Sequence, residues 1–82
     1  MITFNDLYEL LRKEKYSDQL QPLKKKFLQE VNEYFNEKKS FLEKEDDMFS
    51  EIVLKSKKKL ENAITSFKDL IRIRKRKIKF SF

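Results

Sequence analysis

Glycine is absent from all 82 residues of this chain, and proline occurs once, at Pro22. These are the residues that most readily break helices and set tight turns, so the sequence carries one strong punctuation mark and helix is the default elsewhere. Charged residues make up 41% and Phe occurs eight times, a balance that favours solvated helices with narrow aromatic stripes over sheets or disorder. The expected fold class is all-α, a small bundle of three to four helices with a long C-terminal helix.

The periodicity divides the chain into segments. The first helix is expected to begin around Asn5, an N-cap residue type with Asp6 and Glu9 in the first turn, and to place Leu7, Leu10 and Leu11 on one side, with Phe4 and Tyr8 near them. It ends near Tyr16. Ser17, Asp18, Gln19 and Pro22 mark a connection, and Gln21 is pushed out of the helical region by the proline after it. A second helix runs from Leu23 or Lys24 to about Leu42, with Phe27, Leu28, Val31, Tyr34, Phe35, Lys38 and Phe41 at three-and-four spacing. Glu43, Glu45, Asp46 and Asp47 then read as a solvated turn, with Asp46 or Asp47 capping the next helix.

The third segment is the longest. Phe49, Ile52, Val53, Leu60, Ala63, Ile64, Phe67, Leu70, Ile71 and Arg74 follow one face, with a candidate break near Ser56. Continuous to about Lys77, it spans roughly 45 Å at the helical rise of about 1.5 Å per residue, whereas a compact domain of this size is only about 30 Å across. Part of the stripe then needs cover from another chain. Ile78 to Phe82 alternate apolar and polar residues and predict a short strand or linker, and a chain that stops there reads as truncated or unusually reduced.

With 82 residues in one domain, a single core only marginally offsets the entropy of ordering the chain, so association is expected. Having neither Cys nor His excludes thiol catalysis, disulfide frameworks, imidazole chemistry and the usual zinc ligand sets. No cofactor and no enzyme activity are indicated. No membrane span or signal segment is evident, and the expected location is cytoplasmic, associated with the nucleoid.

The net charge of +6 is unevenly placed, since six of the eight residues from Arg72 to Lys79 are Lys or Arg with no acid among them. Arg72, Arg74, Lys75, Arg76 and Lys77 are candidate contacts to nucleic-acid phosphate or to an acidic partner. The plainer reading is a solvated helix end favoured by the macrodipole, and any DNA binding is expected to be weak and insensitive to sequence. Among the aromatics, Phe27, Phe35 and Phe67 with Val31 are expected in the core. The carboxylates Glu9, Glu14, Glu30, Glu33 and Glu37 read as helix support through i,i+4 pairs such as Glu9 with Lys13, worth about 0.2–0.5 kcal/mol each.

Two blocks together resemble a known family. Leu7-Tyr-Glu-Leu-Leu-Arg-Lys-Glu-Lys15, then Leu20-Gln-Pro-Leu23 and Phe27-Leu-Gln-Glu-Val31 with Tyr34, is similar to the opening of an archaeal GINS subunit, where L-x-E-L-L-R-x-E precedes L-Q-x-L and F-x-x-x-V-x-x-Y. Leu60-Glu-Asn-Ala63, Leu70-Ile71 and Arg74-Lys-Arg-Lys-Ile78 resemble the L-E-N-A and R-x-x-K-I that close its helical domain. The resemblance implies a helical A domain over residues 1–77, of the class with A before B, and a linker or start of a missing β domain over 78–82.

It further implies a non-catalytic subunit of the GINS complex in DNA replication, forming a tetramer with itself or a sister GINS subunit. That complex scaffolds the MCM replicative helicase with a Cdc45 or RecJ-like protein, a contact the missing B domain puts in doubt. The interface implied on this chain is Phe41, Phe49, Ile52, Val53, Ile64 and Ile71, with Arg74, Lys75 and Lys77 held against an acidic neighbour or facing DNA. The alternative from a different class is a small basic helical nucleic-acid-binding protein using the Arg72 to Lys79 end.

Overall fold

The computed structural model describes residues 2–44 and 50–80, the side chain of Phe80 excepted. Three helices account for the regular structure among these residues: α1 over Phe4–Lys15, α2 over Phe27–Lys44 and α3 over Glu51–Phe80. The chain is all-helical, and its last helix is the longest.

The start of α1 differs from the expectation at Asn5. Thr3 is the N-cap: its hydroxyl accepts from the Asp6 N–H at 3.1 Å, and the Asp6 carboxylate accepts from the Thr3 N–H at 3.0 Å. This reciprocal box satisfies two of the donors that a helix start leaves open. Ile2 before the cap and Leu7 in the next turn are both buried in the same apolar cluster, the positions of a hydrophobic staple. That staple fixes the entry point, which a cap-type residue two positions later does not.

The connection from Tyr16 to Lys26 is non-helical, so α2 starts at Phe27, three to four residues later than its periodicity predicts. Ser50 opens α3, its hydroxyl accepting from the Val53 N–H at 3.2 Å. Asp46 and Asp47, the expected caps, lie outside the described residues with the rest of 45–49. No break occurs at Ser56, and α3 is one helix. It also continues through Phe80, so the alternation at Ile78 and Lys79 does not form a strand; Ser81 and Phe82 lie outside the described residues.

The helix α3 is the spine of the molecule, with α1 and α2 both packed on it. Lys59 places its ammonium over the Phe4 ring at 5.6 Å from the centroid, and Lys77 bonds Glu14; α1 therefore runs in the same direction as α3, covering it from about Lys59 onward. The core gathers Ile2, Leu7, Leu11, Phe27, Val31, Tyr34, Ala63 and Leu70. Phe35 and Phe67, expected fully inside, are partly buried against this cluster. Phe67 lies between Phe27, at 6.2 Å between centroids, and Phe35, at 5.9 Å edge-on. Such aromatic pairs add about 0.5–1.5 kcal/mol beyond the area they bury.

The molecule is elongated, measuring 50 × 21 × 18 Å. Its radius of gyration is 14.8 Å, above the value of about 12 Å for a compact domain of this length. The excess follows from α3, whose thirty residues run well past the twelve of α1.

Candidate interaction surfaces of the long helix

Among the described residues, the one buried charged side chain is one the sequence places among ordinary solvated carboxylates. Glu14 is 1% exposed, and it shares a face of α1 with Leu7 and Leu11, the other buried residues of that helix. Its Oε1 accepts from Arg74 Nη1 at 2.9 Å, and its Oε2 accepts from Lys77 Nζ at 2.5 Å and from the Gln21 N–H at 3.2 Å. Burial pushes the carboxyl pKa up, but the hydrogen bonds from Lys77, the Gln21 backbone and Arg74 outweigh it and hold the group below its ordinary value.

The same two cations fasten the connection between α1 and α2. Arg74 Nη1 donates to the Gln21 carbonyl at 2.6 Å, and Lys77 Nζ donates to the carbonyls of Glu14 at 2.7 Å and Gln19 at 2.9 Å. These bonds explain how a connection containing Pro22 is held without a secondary structure of its own. The acidic neighbour expected for Arg74 and Lys77 is thus a residue of this same chain.

This divides the candidate basic patch. Arg74 and Lys77 have side chains only 18% and 15% exposed and face inward. Arg72, Lys75 and Arg76 are exposed, and Arg72 makes a surface ion pair with Asp69 one turn before it. Lys68, before that set, and Lys79, which the Arg72 to Lys79 end includes but the five named candidates omit, are exposed as well. Spacing along the helix could have found them: at about 100° per residue, Lys68, Arg72, Lys75, Arg76 and Lys79 fall within an arc of about 100°, centred roughly opposite Leu70 and Ala63.

The candidate interface residues also separate. Ile52 is 70% exposed and Phe41 is 41% exposed, and Leu54, outside the candidate set, is 52% exposed. Val53 is 1% exposed; on the face of α3 shared with Ser56 and Leu60 it is covered by its own chain and is not an outer-surface residue. Ile64 and Ile71 are half-buried, and Phe49 lies outside the described residues. Ile71 lines a shallow groove of about 380 Å³ with Phe67, Lys68, Arg72 and Lys75. The expected pairing of Glu9 with Lys13 gives way to an exposed contact with Arg12 at 3.7 Å.

A second cleft, of about 350 Å³, lies between α1 and the start of α2, with Ile2, Leu10, Leu23 and Phe27 among its walls and Asp6, Glu9, Lys13 and Lys24 around them. Among the described residues, no group of three or more Asp or Glu side chains is placed to hold a metal ion, and no helix is long and apolar enough to cross a membrane.

No protein-family model matches the sequence, and neither the curated proteins nor the solved structures contain a match. The chain's own residues and geometry therefore carry its functional reading.

Proposed function

We propose that this chain is a non-catalytic assembly domain of GINS type, a helical scaffold subunit of a replicative helicase complex. Its partners are a sister GINS subunit or a second copy of itself, and through them the MCM helicase. A Cdc45 or RecJ-like protein is the remaining partner that this reading includes.

The observation that carries this reading is the set of exposed apolar side chains left at the α2–α3 end. Phe41, Ile52 and Leu54 are all more than two-fifths exposed, beside the first turns of a helix that α1 covers only from about Lys59. Fully burying an exposed side chain of this kind is worth about 1.5–3 kcal/mol, so the exposed share of these three still holds roughly 2–5 kcal/mol for a contact. The two sequence blocks add support: the first covers α1, the connection after it and the start of α2, and the second lies on α3. The nucleic-acid-binding alternative is less well supported as the chain's main role, since Arg74 and Lys77 are committed to Glu14.

The test is co-expression of the tagged chain with the sister GINS subunit of the same genome, followed by light scattering. A defined hetero-oligomer supports the proposal. A monomer at tens of micromolar that ignores the sister subunit overturns it.

A further inference from the structure

The outward face of α3 carries a second feature, independent of the apolar end. Lys68, Arg72, Lys75, Arg76 and Lys79 form one exposed row opposite the core, and the chain contains no acid after Asp69. None of Lys68, Lys75, Arg76 and Lys79 has an ion-pair partner among the described residues. Arg72 is held only by Asp69 within its own helix, with its side chain 68% exposed, an arrangement worth a few tenths of a kcal/mol and easily exchanged.

The helix macrodipole accounts for cations in the last turn of a helix, where its effect is confined. Lys68 and Arg72 lie two to three turns before the end of α3, beyond that effect. Like charges at i,i+4, such as Lys68 with Arg72, Arg72 with Arg76 and Lys75 with Lys79, destabilise an isolated helix. Apart from the exposed Arg72–Asp69 pair the row has no ion-pair partner among the described residues, and an anion outside the chain would offset what it costs the helix.

We propose that this face of α3 is a contact surface for the phosphate backbone of double-stranded nucleic acid, bound by charge and not by base sequence. The row runs straight along roughly 17 Å of helix, and a duplex presents about one phosphate charge per 1.7 Å of its axis. A linear anion of uniform high charge density fits this row along its length. The groove at Phe67 and Ile71 borders Lys68, Arg72 and Lys75 of the row, so an acidic protein segment anchored there leaves Arg76 and Lys79 unanswered. The contact adds to the assembly role and does not depend on it.

The test uses fluorescence anisotropy of a labelled duplex of about 20 base pairs, titrated with the full chain between about 50 and 200 mM salt. A variant combining Lys68→Gln, Arg72→Gln, Lys75→Gln, Arg76→Gln and Lys79→Gln is compared with one combining Lys13→Gln, Lys15→Gln, Lys24→Gln, Lys25→Gln and Lys39→Gln. Both lose five charges from exposed positions, and circular dichroism melts establish that both remain folded. The row variant is expected to lose at least tenfold in affinity, with the log–log salt slope reduced by about 4 to 5, at about 0.9 per phosphate contact. The control variant is expected to keep most of the slope.

Equal weakening by the two variants overturns the proposal in favour of net charge alone. Absence of duplex binding by the native chain at about 50 mM salt overturns it, as does equally tight binding to polyglutamate that the row variant abolishes, which assigns the face to an acidic protein.

Discussion

The carboxylate of Glu14, in the last turn of α1, accepts a 2.9 Å hydrogen bond from the guanidinium of Arg74, sixty residues further along the chain. Lys77, one turn on, takes the other carboxylate oxygen and ties the connection through Gln19 at the same time. One buried acid and two largely buried bases thus join the first helix, the loop after it and the far end of α3.

Breaking this cluster from one side leaves buried charges without a partner, which costs about 3–5 kcal/mol. Glu14→Ala is expected to remove most of the stability of a domain this small, whose total lies near the lower part of about 5–15 kcal/mol. The triple variant Glu14→Leu, Arg74→Met, Lys77→Met is expected to recover much of it, because apolar groups of similar volume replace buried ion pairs at little cost or with a gain. Urea unfolding followed at the helical circular dichroism signal measures both. Equal destabilisation by the single and triple variants contradicts the role given to the charges.

The same cluster sets an acid sensitivity. The Glu14 pKa is lowered from 4.5 in the folded chain, so the unfolded state binds more protons in that range and stability rises with pH. The contribution is fully present above about pH 4.5 and is lost as the pH falls through the lowered folded value. Asp6 is lowered too, by its hydrogen bonds from Thr3 and on an exposed surface, and acts in the same direction. The urea midpoint is expected to fall below pH 4.5 in the native chain, and to fall less steeply in Glu14→Gln. An unchanged slope in that variant removes Glu14 as the source.

Thr3 and Asn5 are both cap-type residues, and only the first is the cap. Thr3→Ala is expected to cost about 1 kcal/mol, and Asn5→Ala, exposed in the first turn of α1, less than about 0.5 kcal/mol. The reverse order in thermal melts contradicts the observed start of α1.

Ser56 lies within α3, where its periodicity leaves room for a break. Because the helix is continuous there, Ser56→Pro is expected to cost about 3 kcal/mol or more through the lost hydrogen bond and the clash with the preceding turn. A variant that melts at the native temperature indicates two helices joined at that point.

The sequence made the all-helical class and the long third helix legible through three-and-four spacing and the lack of glycine, and Phe27 and Val31 are buried where that spacing puts them. Helix starts were less legible, because the loop from Tyr16 to Lys26 is organised by Arg74 and Lys77, groups more than fifty residues away. Glu14 was the largest omission. It stands three residues after Leu11 and seven after Leu7 on the apolar face of α1, while Arg74 stands on the apolar face of α3. An acid interrupting one stripe and a base interrupting another is a signal of pairing, visible only when the two stripes are compared. The alternation at Ile78 to Phe80 is too short for its period to compete with a helix already propagating from Glu51, where each added residue contributes a hydrogen bond.

The central claim, that the apolar end of α2 and α3 joins this chain to a sister GINS subunit, is tested most directly by light scattering of co-expressed native chain and an Ile52→Asp, Leu54→Asp variant. Both residues are more than half exposed, so the variant is expected to melt with the native chain and yet to run as a monomer that no longer retains the sister subunit. A native chain that is itself monomeric and unbound, or a variant that assembles as well as the native chain, contradicts the account.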